Sequence, residues 1–260
     1  MPILYTPAGA AREYSPLAAN LYRGCSHGCR YCYAPACTRT PPERFAQSYP
    51  RKDVLAQLEK DVAKWRGPKR PVLLCFTCDP YQPLEADHHI TREAITILGK
   101  AGFPIRVLTK RPSLAVRDLD WFWRYQVEVG VSLVWYHDER RQEWEPNTDP
   151  VDERVNALWD LKEAGVRTWV SMEPVVDPAE ARLLLVDKVL HESVGTWKIG
   201  KLNHLPEARA VDWFGFLRDL PGLLAGKRYY IKRELWAQGG DLVDGLERDT
   251  AGVLAELEAE

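Results

Sequence analysis

Short apolar runs alternate along most of the chain with segments in which apolar residues have helical spacing. The apolar runs predict parallel strands covered on both faces, and they occupy residues 17–22, 72–76, 105–108, 127–135, 168–172 and 196–200. In the segments that follow them, apolar residues recur every three or four positions, which predicts helices at residues 51–65, 91–100, 113–124, 151–161, 178–191 and 207–219. Six strand–helix units in series predict an α/β fold whose parallel strands form a barrel or an open barrel.

Three segments do not fit this alternation. Residues 136–149 predict a long polar loop, the apolar run 229–231 predicts a seventh strand or an extension of the sheet edge, and the acidic end after Gly240 predicts a short surface helix. In barrels of this kind the carboxyl ends of the strands carry the active site. The polar residues found there are a cysteine-rich loop at 24–33, Asp79, Lys110, Ser132, Glu173, Lys201, Asn203, His204 and Lys232.

Composition indicates a single domain in a reducing compartment. A chain of 260 residues with 45% hydrophobic residues can bury a substantial core. No stretch reaches the ~18 apolar residues of a membrane span, and the N-terminus has no apolar signal segment, so we expect a cytoplasmic protein without membrane contact. The net charge of −2 gives no overall basic field, so a nucleic acid would need a local basic patch. Six cysteines are too few for a disulfide scaffold.

Three of the six cysteines, Cys25, Cys29 and Cys32, fall within eight positions of one loop. Soft thiolates that converge from one short loop suit an iron–sulfur cluster or zinc. One alternative is a zinc knuckle with His27 as the fourth ligand, although structural zinc sites usually use two spaced ligand pairs and no second pair occurs at a suitable distance. The other alternative is a redox-inert loop in which the cysteines are incidental.

The C-x3-C-x2-C spacing, with Tyr31 directly before the third cysteine, resembles the radical S-adenosylmethionine (SAM) superfamily. Within that superfamily the chain is similar to the spore photoproduct lyase-like branch, through residues 24–34, 77–82, 108–111, 131–133 and Glu145-Pro146 followed by Arg154. The resemblance implies a partial (β/α)6 TIM-type barrel. It divides the chain into an N-terminal extension at 1–16, the barrel at 17–205 and a C-terminal extension at 206–260 packed on the barrel.

The resemblance also implies how the cofactors bind. Cys25, Cys29 and Cys32 would hold a [4Fe-4S] cluster whose fourth iron is open to the amino nitrogen and carboxylate oxygen of SAM. The residues implied to contact SAM are Thr77, Cys78 and Asp79 at its amino group, Lys110 and Ser132 at its carboxylate and ribose, and Tyr31 near its adenine. An anionic acceptor suits an ammonium group, but Asp79 could instead be a turn or helix-cap residue. Lys110 could be a solvated rim residue, and Arg154 could either approach SAM or pair with Glu145.

Two further cysteines lie near the end of the second predicted strand. Cys75 and Cys78 are three residues apart, so on a strand they would face opposite sides and at most one would point into the barrel. The hydrogen-donor cysteine of spore photoproduct lyase aligns with Phe76, so this chain departs from the lyase pattern at that position. Cys78 is the functional candidate, whereas Cys75 is expected to be a buried structural thiol. Cys37 has no matched role.

The resemblance implies an enzyme that cleaves SAM reductively to a 5′-deoxyadenosyl radical, with an electron donor such as flavodoxin or ferredoxin as partner. The substrate would be a small molecule or a nucleic acid, polar or anionic, and the subgroup suggests nucleic-acid lesion repair or modification. The residues expected around the substrate are Tyr81, Gln82, Glu173, Lys201, Asn203, His204 and Lys232. Lys201, His204 and Lys232 are expected to add positive charge that a phosphate-bearing substrate would use, and the alternative is that the lysines are ordinary solvated side chains. The alternative function is a non-catalytic accessory module that keeps a cluster or zinc for structure.

Overall fold

The computed structural model describes residues 2–258. The strands within that range are β1 Leu4–Tyr5, β2 Leu17–Ala19, β3 Tyr22–Arg23, β4 Tyr49–Pro50, β5 Val72–Leu74, β6 Ile105–Thr109, β7 Glu128–Ser132, β8 Arg167–Val175, β9 Thr196–Lys201 and β10 Tyr229–Ile231. In the described part of the chain, eight of them form one sheet in the order β1-β2-β5-β6-β7-β8-β9-β10. The neighbours from β2 to β10 are parallel, and β1 is antiparallel to β2 at one edge. The predicted α/β fold with a mostly parallel sheet is therefore confirmed.

Helices connect the strands and cover the outer face of the sheet. They are α1 Ala34–Thr38, α2 Pro42–Phe45, α3 Val54–Lys64, α4 Glu85–His88, α5 Ile90–Lys100, α6 Pro112–Ala115, α7 Leu119–Arg124, α8 Asp138–Trp144, α9 Val151–Glu163, α10 Pro178–Val186, α11 Lys188–Ser193, α12 Trp213–Leu223, α13 Arg233–Trp236 and α14 Val253–Glu258. Short 3-10 helices occupy Gly9–Glu13, Val116–Asp118, Pro206–Ala210 and Gly240–Leu242. In the part of the chain described here, no helix combines the length and the hydropathy needed to cross a bilayer.

Several predicted elements differ from the observed ones for local reasons. The first predicted strand is split, because the chain leaves the sheet after Ala19 and β3 pairs antiparallel with β4. The predicted helix at 178–191 is broken at Asp187, whose carboxylate accepts the Leu190 N–H and caps α11. The predicted helix at 207–219 begins later, at Trp213, because Asp212 caps it through Gly215 N.

The predicted loop at 136–149 is wrong in part, because it contains α8. This helix has no apolar stripe in its sequence. An Asp138–Arg141 ion pair at 2.8 Å joins two of its turns, and Trp144 is buried at its end. A helix held by ion pairs and by one aromatic residue gives no period in hydrophobicity, so the sequence pattern did not reveal it.

Segments outside the predicted barrel, at 4–5 and 229–231, join the same sheet. The run 229–231 is a seventh parallel strand, β10, which pairs with β9 through Tyr229↔Trp197. β1 lies at the other edge. The division into extensions at 1–16 and 206–260 around a barrel stays a prediction, and its outermost residues 1, 259 and 260 lie outside the described residues.

The interior of the open barrel is filled by large side chains from alternate strand positions. Tyr14, which precedes β2, enters this interior and packs with Leu73 and Trp169. Gly130 in β7 makes room for that indole, because a Cβ at this position would lie 2.2 Å from the ring. Lys198 is buried beside them and donates to the Tyr14 carbonyl at 3.2 Å. Burial, reinforced by the charge of Arg106, lowers the pKa of Lys198 to about 7.

Candidate active site

A cavity of about 410 Å³ opens at the carboxyl ends of the parallel strands. All six cysteines of the chain line it, three from the loop after β3, one from α1 and two from the segment after β5. The other predicted site residues along its wall are Tyr31, Thr77, Asp79, Lys110, Ser132, Glu173, Lys201, Asn203, His204 and Lys232. Residues at or just after the ends of six parallel strands, β5 to β10, and the cysteine loop thus meet in one cavity, as expected for a barrel of this type.

The cysteine loop has a defined conformation that two glycines permit. Gly24 and Gly28 have φ values of +74° and +68°, in the left-handed region that disfavours other residues. At Gly24 a Cβ would also lie 2.3 Å from the Phe45 carbonyl oxygen. That same oxygen accepts the Cys25 N–H at 2.9 Å, so the loop is held directly against α2.

A second segment, 144–147, holds the loop from the other side. The N–H of Arg30 donates to the Trp144 carbonyl at 2.8 Å, and Asn147 donates from its backbone to His27 O at 3.3 Å and from its side chain to Ser26 O at 3.1 Å. The Tyr31 hydroxyl donates to the buried carboxylate of Glu145. We call residues 144–147 the clamp segment, because every one of these contacts falls on the loop between the cysteines.

The donor set fits a multinuclear cluster. Burial raises the pKa of Cys25 well above its ordinary value and that of Cys29 to about 12, so these thiolates need a bound cation to form at neutral pH. Three soft thiols that converge on one cavity are the donors that iron–sulfur clusters take.

His27 and Asp79 form a buried pair beside the thiols. The Nδ1 atom of His27 is 3.5 Å from Asp79 Oδ2, while its Nε2 atom is buried without a protein partner. Burial lowers the pKa of His27, against the opposing charge of Asp79, so the imidazole is neutral at pH 7. The zinc alternative requires His27 as a ligand, but one of the two ring nitrogens of His27 faces the Asp79 carboxylate.

The Asp79 carboxylate accepts three hydrogen bonds from neighbouring residues. Its Oδ1 accepts the Tyr81 N–H at 2.8 Å and the Thr109 hydroxyl at 2.7 Å, and its Oδ2 accepts the Lys110 N–H at 2.7 Å. The contact with Tyr81 is the side-chain turn expected for an aspartate before proline. Asp79 therefore joins the ends of β5 and β6, although its carboxylate still borders the cavity.

Lys110 and Ser132 line the cavity on the neighbouring strands. The Lys110 ammonium lies 5.5 Å from the centroid of the Tyr31 ring and forms no salt bridge with a described carboxylate. Ser132 is nearly buried at the end of β7. The Thr77 N–H and the Phe76 N–H are both held by Asn20 Oδ1, at 3.0 and 2.8 Å. Asn20 was not predicted as a site residue.

The structure corrects the expected placement of Cys75 and Cys78. β5 ends at Leu74, so the two cysteines are not on a strand and need not face opposite sides. Both line the cavity. Burial, together with the neighbouring Cys78 thiol, raises the pKa of Cys75. Cys37 also lines the cavity and is exposed.

The half of the cavity away from the cysteines contains an unpredicted polar network. Lys232 lies 2.8 Å from both carboxylate oxygens of Glu173. The Tyr14 hydroxyl donates to Glu173 and is 2.6 Å from the Ser171 hydroxyl. Ser171 could have been predicted as a site residue, because it lies two residues before Glu173 on β8 and therefore faces the same side of the sheet. Tyr14 gave no signal, because it precedes the first predicted strand.

Three predicted site residues lie elsewhere. Tyr81 is fully buried with its hydroxyl 3.0 Å from Asp118, and Gln82 is buried and accepts the Ser26 N–H at 3.4 Å, so neither lines the cavity. Arg154 is fully buried and pairs with Glu145 at 2.7 Å. Of the two roles considered for Arg154, it therefore has the structural one, pairing with Glu145.

Lys201 contributes less charge to the cavity than expected. It follows Gly200 on β9, and strand alternation turns its side chain outward. Its ammonium lies 5.6 Å from the Trp213 ring on α12. Asn203 donates to Lys201 O at 3.2 Å, and His204 is exposed at the cavity edge. Since Lys232 is paired with Glu173, the expected cluster of free cations is not formed by these described residues.

Comparison with known proteins supports the resemblance inferred from the cysteine motif. The model of the Radical SAM superfamily matches residues 19–181, more than half of the chain. An uncharacterized protein from Methanocaldococcus jannaschii is 27% identical over 159 residues, which cover 60% of this chain and 59% of that protein. An uncharacterized protein from Mycobacterium tuberculosis is 30% identical over 171 residues, 60% of this chain and 48% of that protein. The chain thus spans about half to three fifths of the length of these relatives.

Solved structures with the same fold include spore photoproduct lyase. A point variant of that enzyme superimposes with a TM-score of 0.62 at 17% identity, covering 79% of this chain and 62% of that one. A double variant with bound AdoMet and dinucleoside spore photoproduct has a TM-score of 0.59. SuiB from Streptococcus suis, bound to S-adenosylmethionine, has a TM-score of 0.58 at 11% identity, over 86% of this chain and 52% of that one. At these identities the likeness shows the fold, the partial TIM barrel of such enzymes.

Proposed function

Since the chain belongs to the radical SAM superfamily, whose members use a [4Fe-4S] cluster and SAM, we propose that its cavity holds both cofactors at the positions that the cysteine loop and the strand ends define. Cys25, Cys29 and Cys32 are the proposed cluster ligands. The observation that carries the proposal is that these three thiols, in a loop fixed on both sides, face the same cavity as the unpaired Lys110 ammonium. When bound, the reduced cluster and SAM supply a 5′-deoxyadenosyl radical that abstracts hydrogen from the substrate.

The chain's own residues bind and orient SAM in this proposal. Lys110 meets the SAM carboxylate, since its ammonium forms no salt bridge with any carboxylate that the structure describes. Ser132, next on β7, meets the ribose, and Tyr31 borders the adenine. Asp79 and Thr77 line the side of the amino group. Asp79 accepts three bonds from the protein, so its contribution is a fixed negative charge rather than a free acceptor.

The substrate is proposed to occupy the half of the cavity bordered by Glu173, Lys232, Asn203 and His204. Because the ammonium and the carboxylate there neutralise each other, the site suits a polar substrate that both donates and accepts hydrogen bonds. One structural neighbour was solved with dinucleoside spore photoproduct. By that analogy, nucleic-acid lesions and modified nucleotides are the first class to test, with Cys78 as the candidate catalytic thiol beside the substrate.

The test begins with anaerobic reconstitution. The protein with reduced cluster and SAM should form 5′-deoxyadenosine and methionine, detected by mass spectrometry, and Cys25→Ala should abolish both. Cys37→Ala is the matched control, because Cys37 lines the same cavity outside the three-cysteine motif. A protein that retains zinc, shows no sulfur-to-iron absorption and forms no 5′-deoxyadenosine would favour the accessory-module alternative.

The cysteines support a proposal for the cellular compartment and the reductant of the reaction. All six are free thiols, as a reducing compartment such as the cytoplasm maintains them. The proposed reductant is a flavodoxin or a ferredoxin. Activity of the chain in a reconstituted system with either donor would support that partner class, whereas reduction by artificial donors alone would contradict it.

A further inference from the structure

The segment that supports the cysteine loop carries a net positive charge. Residues 23–52 contain six Arg and Lys side chains against one acidic residue, Glu43, in a chain whose net charge is −2. Arg23, Arg39, Arg44 and Lys52 are exposed, and none forms a salt bridge with a described carboxylate. We call these four residues the basic face. Arg30, in the same stretch, differs because Glu143 and Glu207 pair with it.

The basic face lies directly outside the proposed cluster. Arg23 is two residues before Cys25 and stands opposite the half-exposed Tyr49 in the β3–β4 ribbon. Arg44 belongs to α2, whose Phe45 carbonyl accepts the Cys25 N–H at 2.9 Å. A single backbone hydrogen bond thus joins α2, which carries Arg44, to the first cysteine of the motif.

Resting on the proposed function, we infer that the basic face is the docking surface of an acidic, flavodoxin-type electron donor. The donor gives one electron: its flavin hydroquinone becomes a semiquinone, and the cluster passes from the 2+ to the 1+ state. An acidic protein is attracted here by four unpaired cations, and such steering raises association rates by roughly 10- to 1000-fold at low salt. The electron then enters from outside the barrel, while SAM and substrate occupy the inside.

A nucleic acid fits the observations less well. It would have to follow cations from the basic face into the substrate half of the cavity. Two lysines expected at that end are engaged within the protein, since Lys232 is paired with Glu173 and Lys201 packs on Trp213. Glu234 adds a further acid to that wall. Neither lysine is therefore free to hold the phosphates of a nucleic acid.

The chain provides a matched control at the opposite end of the barrel. Lys64 and Arg66 are exposed and belong to a second basic stretch, residues 64–70, which leads into the start of β5. Lys64→Glu with Arg66→Glu changes the charge by the same amount as Arg44→Glu with Lys52→Glu. It does so at the strand ends farthest from the cavity.

Two measurements test the inference. The first is the affinity of the protein, with and without cluster, for oxidised flavodoxin by calorimetry at low salt. We expect Arg44→Glu/Lys52→Glu to weaken it by about tenfold or more, with the control pair within about twofold of wild type. The second is the rate of cluster reduction by flavodoxin hydroquinone, which should fall by a similar factor and recover at about 0.5 M salt, where charges are screened.

Photoreduced deazaflavin, a small uncharged reductant, separates docking from chemistry. It should reduce both variants at the wild-type rate. Unchanged flavodoxin affinity in Arg44→Glu/Lys52→Glu, or an equal loss in the control pair, would overturn the inference, as would a loss of binding to single-stranded DNA or RNA with flavodoxin binding unaltered. If the charge reversal lowered the amount of folded protein, Arg44→Gln/Lys52→Gln should give a smaller loss in the same direction. Failure of the proposed function looks different, since deazaflavin-reduced wild type would then form no 5′-deoxyadenosine.

Discussion

Removing the Arg154 side chain should show how strongly the cysteine loop depends on a buried ion pair. Arg154 and Glu145 are both fully buried and meet at 2.7 Å. The same guanidinium donates to Asp149 O and to Ser132 O, each at 2.9 Å, and to the Thr148 hydroxyl. Glu145 in turn accepts the Tyr31 hydroxyl between two of the cysteines. Arg154→Met leaves the carboxylate buried without its partner.

The expected loss follows from that burial. Breaking one side of a buried pair destabilises by about 3–5 kcal/mol, which for a chain of this size lowers the Tm by roughly 2–4 °C per kcal/mol. Burial raises the pKa of Glu145, and the charge of Arg154 opposes that rise. Without Arg154 the folded pKa rises further, so the unfolded state releases its proton first. Stability of the variant should therefore fall as pH increases above about 4.3, the ordinary glutamate value.

The assay is urea unfolding of the cluster-free protein at pH 5 and pH 8, with Glu145→Leu and the double variant completing a cycle. We expect a larger deficit at pH 8, and a double variant more stable than the sum of the single losses predicts, by about 1–3 kcal/mol. Cluster content after reconstitution should fall in parallel, since the clamp segment loses its anchor. A loss below about 1 kcal/mol with additive single effects would refute the reasoning, because it would mean that the pair does not interact.

Three further predictions concern the cavity and the barrel interior beneath it. Wild type should bind about four irons per chain by colorimetric iron assay, and Cys29→Ala should lose them; about eight irons would reveal a second cluster. Lys110→Ala should weaken SAM binding by about tenfold in equilibrium dialysis, a loss typical of a charged hydrogen bond. Lys201→Ala is the control and should leave SAM affinity unchanged, because the wild-type Lys201 ammonium lies over the Trp213 ring. Equal SAM affinities of the two variants would contradict the role assigned to Lys110. Lys198→Met should be more stable than wild type at pH 7. The stability of wild type should rise between about pH 7 and pH 10, and this rise should be absent in the variant when both are measured by urea unfolding. A variant with the same pH profile as wild type would refute this prediction.

The sign of the Lys198 effect follows from its lowered pKa. The folded value is about 7 and the ordinary value is 10.5, so between them the unfolded state binds more protons and stability rises with pH. The full difference corresponds to at most about 5 kcal/mol, at 1.36 kcal/mol per pKa unit. The net gain in Lys198→Met will be smaller, because the bond to Tyr14 O is lost as well.

The sequence predicted those parts of the fold and site that depend on local pattern. Continuous apolar runs identified the parallel strands, and the strand ends identified the cavity wall from Asp79 to Lys232. The cysteine spacing identified the loop and the family. These succeeded because each signal lies within a few residues of the feature it predicts.

The misses are contacts between distant segments. Tyr14 reaches Glu173 across the barrel, 159 residues along the chain, and no periodicity marks it. Lys232 was predicted as a free cation because its partner stands on another strand. Cys75 and Cys78 were placed on opposite faces because the strand was assumed to continue, whereas β5 ends at Leu74. Charge neutralisation and strand length are both set by tertiary structure, which one sequence does not display.

The three cofactor-facing regions should be separable by mutation, because they lie on different sides of the cysteine loop. The basic face supports the loop from outside through Phe45, the clamp segment holds its middle through Tyr31, and the cavity lies within. Changes on the outside should alter only how fast an electron arrives. Changes at Lys110 should alter SAM affinity without altering reduction by a small reductant. Changes at Glu173 should alter neither, and should instead lower the substrate-dependent yield of 5′-deoxyadenosine, since that carboxylate borders only the substrate half.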